Sequence, residues 1–179
     1  MPGINQLWVT HCSAGKNPIP QGTPTELYRS NRISEFISHC SGRSYAWAIL
    51  SAKYSLFFPD EKRPNYNVTF KSDVNTKQCM VIKDGVSLSA EQSSAWIKGL
   101  VDETKLKMNS KGVRSIVFWP GWSYDGVDPL KRVKCYLKFL HAAVDSCSID
   151  HLSWQEVVDH IGTLWKSGVG RIDLVKDLP

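Results

Sequence analysis

The residues with most chemistry to offer sit together at 11–16: His11, Cys12, Ser13, Gly15 and Lys16. A thiol beside an ammonium or imidazole is a nucleophile candidate, because a neighbouring cation favours the thiolate. Cys12 is read that way, with a buried structural thiol as the alternative. Ser13, Gly15 and the local backbone N–H groups suit an anion-binding nest, with Lys16 as its cation. The spacing does not match GxxxxGK[ST], which weighs against a nucleoside triphosphatase. Two later clusters have the same flavour: Ser51-Ala52-Lys53-Tyr54 and Gly121-Trp122-Ser123-Tyr124. Lys53 suits phosphate binding or, once desolvated, base chemistry; the alternative is an aliphatic stem on the sheet with its head in water. Tyr54, Tyr66 and Tyr124 can stack on a base or donate a hydroxyl. Asp60, Glu61 and Asp125 are the nearest acids, and Asp60 is taken as the general acid or base. His39, His141, His151 and His160 lie in or beside helices and form no metal pair, so neither metal nor cofactor is expected.

These clusters need elements to hold them. LWVTH at 7–11 alternates and is β-branched, as a buried strand does. YAWAIL at 45–50 and SIVFW at 115–119 are near-continuous apolar runs, the pattern of strands buried on both faces. Each chemical cluster directly follows one of these runs. In open α/β sheets, ligands bind beyond the carboxyl ends of the strands, so parallel neighbours would bring the clusters to one crevice. The alternative is three ordinary strand exits. Helices are expected after Ser30, after the Ser89/Gln92 capping box, after Asp128-Pro129 and after the Ser153/Glu156 capping box. Lys131, Lys134 and Lys138 share one face of the third of these helices, at spacings of three and seven, and could track phosphates or simply face solvent. The prolines at 18–24 exclude a helix there, and FFPDEKRPNYNVTF at 57–70 reads as loop. Residues 169–179 could add an edge strand. The expected fold is α/β, a mostly parallel sheet flanked by helices in a single domain over 1–179, with a core at 7–126 and C-terminal helices over 128–168.

The bulk numbers fit this. A chain of 179 residues, 42% hydrophobic and 22% charged, is an ordinary globular composition. A net charge of +5 permits a phosphate-bearing or nucleic-acid partner without requiring one. No membrane span or signal peptide is evident, so a cytoplasmic protein without membrane contact is expected. The five cysteines are odd in number and scattered, which reads as reduced thiols rather than a disulfide framework.

The order Cys12-Ser13-x-x-Lys16, Glu26-Leu27-Tyr28, Trp47-x-Ile49-Leu50-Ser51-Ala52-Lys53-Tyr54, Pro59-Asp60, Pro64-x-Tyr66 and Gly121-x-x-Tyr124 resembles a bacterial and phage domain with the pattern CSxxK…LY…W-ILSAKYGL…PD…PYD…GxxY. That domain is similar to the YaaA peroxide-stress proteins and to a domain of archaeosine synthase. The resemblance covers residues 7–126. It implies an α/β fold and a site built from Cys12, Ser13, Lys16, Ser51, Lys53 and Tyr124; Tyr28, Tyr54, Tyr66 and Gly121 are expected as further substrate contacts. It also implies a link to nucleobases or nucleic acid. Two positions depart from the pattern: Ser55 replaces a glycine and Asn67 replaces an aspartate. Two functions follow as expectations. One is a hydrolase or transferase acting on a nucleobase or nucleoside, free or within nucleic acid, by glycosidic-bond or base-modification chemistry. The other is a non-catalytic, stress-related DNA- or RNA-binding protein using the Lys131/Lys134/Lys138 stripe.

Overall fold

The three apolar runs form the centre of one sheet. In the computed structural model, residues 3–119, 129–147, 151–167 and 171–174 are described, with the side chains of 129–132 and 162–167 excepted. In chain order the elements are β1 (Leu7–His11), β2 (Gln21–Gly22), α1 (Pro24–Leu27), α2 (Asn31–Ser41), β3 (Ala46–Ser51), β4 (Ser55–Phe57), β5 (Arg63–Pro64), β6 (Val68–Ser72), β7 (Cys79–Lys83), β8 (Val86–Ser87), α3 (Ala90–Ser110), β9 (Ile116–Phe118), α4 (Pro129–Asp145), α5 (Trp154–Ser167) and β10 (Ile172–Asp173). The main sheet has the order β10-β9-β1-β3-β4. β1 pairs in parallel with β3 and with β9, whereas β4 and β10 close the two edges antiparallel. The sheet is therefore mixed, which corrects the expected mostly parallel one. Parallel pairing is confined to strands joined by helical crossovers; a short hairpin and a C-terminal return add the edges.

Side chains alternate across this sheet. Trp8 stacks on Tyr45 at 5.0 Å and meets His39 at 5.3 Å, and Trp47 meets the edge of Phe36 at 6.1 Å, so this face is covered by α2. The other face carries Leu7, Val9, Leu50 and Phe118, all buried, and meets α4 through His11 and Tyr136 at 5.6 Å. The result is one α/β domain with helices on both faces. Both capping boxes form: Gln92 N donates to Ser89 Oγ and Glu156 N to Ser153 Oγ, each with its reciprocal bond.

Three further expectations are corrected. The proline-rich stretch contains α1, because Pro24 occupies the first turn, where a missing N–H costs nothing. The stretch 57–70 contains β5, the first part of β6 and the end of β4. β6 joins β7 and β8 in a separate three-stranded sheet, while β5 pairs only with β2. Finally, Cys79 of β7 and Cys135 of α4 form a disulfide, leaving Cys12, Cys40 and Cys147 as free thiols among the described residues. Tertiary packing brings those two Cα atoms to 5.7 Å across 56 residues of sequence, a distance no spacing rule reveals.

Candidate functional site at the carboxyl end of the central strands

The register His11↔Leu50 sets the ends of β1 and β3 side by side, and Cys12 N extends the ladder by donating to Leu50 O at 2.9 Å. Arg32, from the first turn of α2, braces this end. Its guanidinium donates to Thr10 Oγ1 at 2.7 Å, to His11 O at 2.6 Å and to Cys12 O at 3.3 Å. Beyond Cys12 the chain turns back. Ser13 Oγ accepts from Gly15 N at 3.1 Å, and Lys16 makes an antiparallel bridge with Tyr28. The sequence thus places a thiol, a turn and an ammonium within one folded-back loop.

A buried polar network lies beside it. Ser51, the last residue of β3, donates through Oγ to Tyr66 Oη at 2.9 Å and accepts from the backbone N–H groups of Lys53 and Tyr54. The hydroxyls of Tyr28 and Tyr66 are hydrogen-bonded to each other. Cys12 Sγ donates to Tyr136 Oη at 3.4 Å. Burial holds the phenols of Tyr28, Tyr66 and Tyr136 well above their usual range, and negative charge on Cys12 would push them further. Lys16 Nζ sits 4.3 Å from the ring centre of Tyr66 and 5.7 Å from that of Tyr28. Burial lowers its pKa, partly offset by the opposite charge available at Cys12. A half-desolvated ammonium over aromatic faces, beside a thiol with a phenol partner, offers anion binding.

The sequence-derived candidates divide accordingly. Cys12, Lys16, Tyr28, Ser51 and Tyr66 come together. Ser13 is adjacent, its hydroxyl engaged by its own turn. Lys53 and Tyr54 form the rim: Lys53 Nζ lies 5.5 Å from the Tyr54 ring, and Tyr54 Oη donates to Pro64 O at 2.6 Å while its ring meets Tyr66 at 5.1 Å. Asp60 is not brought in. It lies in an exposed turn two residues past Phe58, whose ring packs under Lys111 Nζ at 4.4 Å. Lys111 O accepts from Ile4 N, which places that turn near the opposite end of the sheet. The ordered acid there is Glu61, paired with Arg63 at 2.7 Å. Gly121 and Tyr124 lie outside the described residues, as does the side chain of Lys131. Lys134 is half-buried and Lys138 exposed, so the described part of the stripe is not one uniformly solvated face. Lys138 borders a 470 Å³ cleft between α3 and α4, floored by Val101 and Phe139 and separate from the Cys12 cluster.

Tyr136 and Arg32 were not among the candidates. Tyr136 follows Val133 by three on the inward stripe of α4, so its position was legible. Only its contact with Cys12 was not. Comparison of the chain with protein-family models, curated proteins and solved structures finds no significant match in any of the three.

Proposed function

We propose that the protein is an enzyme acting on a nucleobase or nucleoside, free or within a nucleic acid, by cleaving or transferring a glycosidic bond or modifying the base. The observation that carries this reading is Lys16, half-desolvated over the Tyr66 ring next to Cys12. A flat, polar, electron-rich ring would stack against the partly exposed Tyr54 at the rim and receive the Lys16 ammonium, and the site's resemblance to the CSxxK…ILSAKY domains points to the same ligand class. Cys12 then serves as nucleophile once its proton has left to solvent, the thiolate accepting a hydrogen bond from the Tyr136 hydroxyl, while Lys16 and backbone N–H groups hold developing negative charge. Lys53 and Tyr54 contact the substrate from the rim.

No helix among the described residues is long and apolar enough to cross a membrane. A cytoplasmic setting goes with this reading, and the Cys79–Cys135 bond tests it, since a reducing compartment holds such pairs as thiols.

A thermal-shift screen of nucleobases, nucleosides and nucleotides tests ligand class, and turnover of Cys12→Ser on the hit tests chemistry. The expected result is near-parental affinity with turnover nearly abolished. Turnover within a few-fold of the parent excludes covalent catalysis by Cys12. Nucleic-acid binding without any small-ligand response favours the alternative reading, which draws on the exposed Lys138. Its signature is a log–log salt slope of about −0.9 per duplex phosphate contact, flattened by glutamine at Lys131, Lys134 and Lys138.

A further inference from the structure

We propose that His141, Asp145 and His151 form a binding site for a first-row divalent cation, zinc being the best match to this ligand set. The sequence suggested no metal pair among the histidines, yet the fold assembles one. His141 and Asp145 are four apart on α4, hence on one helix face. The chain returns at His151, so that one donor atom from each residue lies within 4.8 Å of the other two. The two imidazoles meet edge to face at 5.6 Å, and Trp154 flanks His141 at 5.7 Å.

The protonation pattern suits a cation. His141 has Nε2 2.8 Å from Leu152 O. A carbonyl oxygen only accepts, so Nε2 carries a proton, and the neutral ring has its lone pair on Nδ1. A backbone carbonyl fixing the second ring nitrogen is the usual arrangement behind a ligating histidine. His151 Nε2 meets Asp145 Oδ1 at 2.8 Å; the histidine side chain is 16% exposed and the aspartate 65%. The histidine is thus mostly covered by protein, and the aspartate carboxylate reaches the solvent from which a hydrated ion arrives. Ligation through Nε2 takes the His151 ring as its Nδ1–H tautomer: the proton shared with Asp145 shifts to Nδ1 in a neutral ring, or is released to solvent from an imidazolium. Two imidazoles and one carboxylate leave a fourth tetrahedral position for water.

The place in the fold assigns the role. Leu152 N donates to Leu174 O, and Leu174 N to Ile116 O, at the start of β9. The site therefore lies at the opposite end of the sheet from Cys12 and ties the end of α4 to the entry of α5. Its function is to fasten those helices, and it stands independently of the reaction proposed for Cys12.

The test uses the full chain after chelator treatment, titrated with Zn²⁺ alone. One-to-one binding by calorimetry is expected, with a melting temperature raised by about 5–10 °C at a hundredfold excess over Kd. Mg²⁺ at the same concentration should produce no shift, since this nitrogen-rich set disfavours it. Co²⁺ should give the visible absorption of a four-coordinate ion without a thiolate charge-transfer band, which separates this site from Cys12 and Cys147. Asp145→Asn alters an exposed side chain without changing its shape and should weaken Zn²⁺ at least tenfold, as should His151→Ala. Unshifted melting with Zn²⁺, a thiolate band with Co²⁺, or parental affinity in both variants overturns the assignment.

Discussion

Lys16 and Lys107 are both drawn into the protein near the end of β3, and they are held in opposite ways. Lys107, from α3, is 17% exposed and saturated: Nζ donates to Tyr54 O at 2.5 Å and to Leu56 O at 2.9 Å, and pairs with Glu103 at 3.1 Å. Those carbonyls lie just before and within β4, an edge that no other strand covers among the described residues, so the ammonium closes an open sheet edge. Lys16 has aromatic rings beneath it, and no oxygen accepts from its Nζ among the described residues. A charge removed from water without acceptors opposes folding. The contrast separates a lysine saturated by the fold from one that the fold leaves without an acceptor among the described residues.

The largest effect should follow from Lys107→Met, which strips two carbonyls of their donor. We expect a loss of about 2–3 kcal/mol in urea unfolding. Lys16→Met should change stability by less than about 1 kcal/mol, because its partly exposed charge is screened, yet abolish ligand binding. Equal destabilisation by the two variants would erase the distinction.

Tyr66→Phe should cost about 1–2 kcal/mol, since it leaves the hydroxyls of Tyr28 and Ser51 short of a partner while keeping the ring under Lys16. Ser55→Gly should act in the other direction. Ser55 lies between the two carbonyls that Lys107 holds, with φ at +58° and a buried Oγ that makes no hydrogen bond. Glycine relieves both penalties, for a gain of about 1 kcal/mol. A loss on this substitution would mean that the side chain contributes packing that outweighs strain.

The smallest effect is a pH dependence. The folded pKa of Lys16 lies below its ordinary 10.5. Between those two values the unfolded chain binds more protons, so this group's contribution to stability rises with pH across the window. Below it the desolvation penalty is fully present. The difference in unfolding free energy between parent and Lys16→Met should therefore shift in the parent's favour as pH climbs toward 10.5. A difference constant with pH would show that the ammonium is as well solvated as in the unfolded chain.

The strongest sequence signals were those resting on local physics. β1, β3 and β9 were legible as apolar runs, and α3 as a capping box closed by Gly112, whose φ of +59° favours glycine. Lys83-Asp84-Gly85 has a turn composition and joins β7 to β8, with φ of +52° at Asp84 and +81° at Gly85. What escaped was either too short or too distant. β4 and β5 span only three and two residues, below any periodicity, and prolines masked β6. The departure at Ser55 from a glycine pattern does not remove the tight turn there, because the serine itself adopts the left-handed conformation. At the site, Cys12, Lys16 and Ser51 were legible because each ends or follows a strand. Tyr136 and Arg32 act across 124 and at least 20 residues of sequence, and Cys79–Cys135 across 56, separations carrying no local signature.

That last bond gives the chain a ring. Residues 79–135 form a closed loop of backbone that contains α3 and β9, so a central strand of the sheet belongs to the ring while its neighbour β1 does not. A single backbone cut anywhere from 80 to 134 therefore severs the polypeptide without parting it. Protein nicked there by a protease should run as one band on a non-reducing gel and as two once thiol is added.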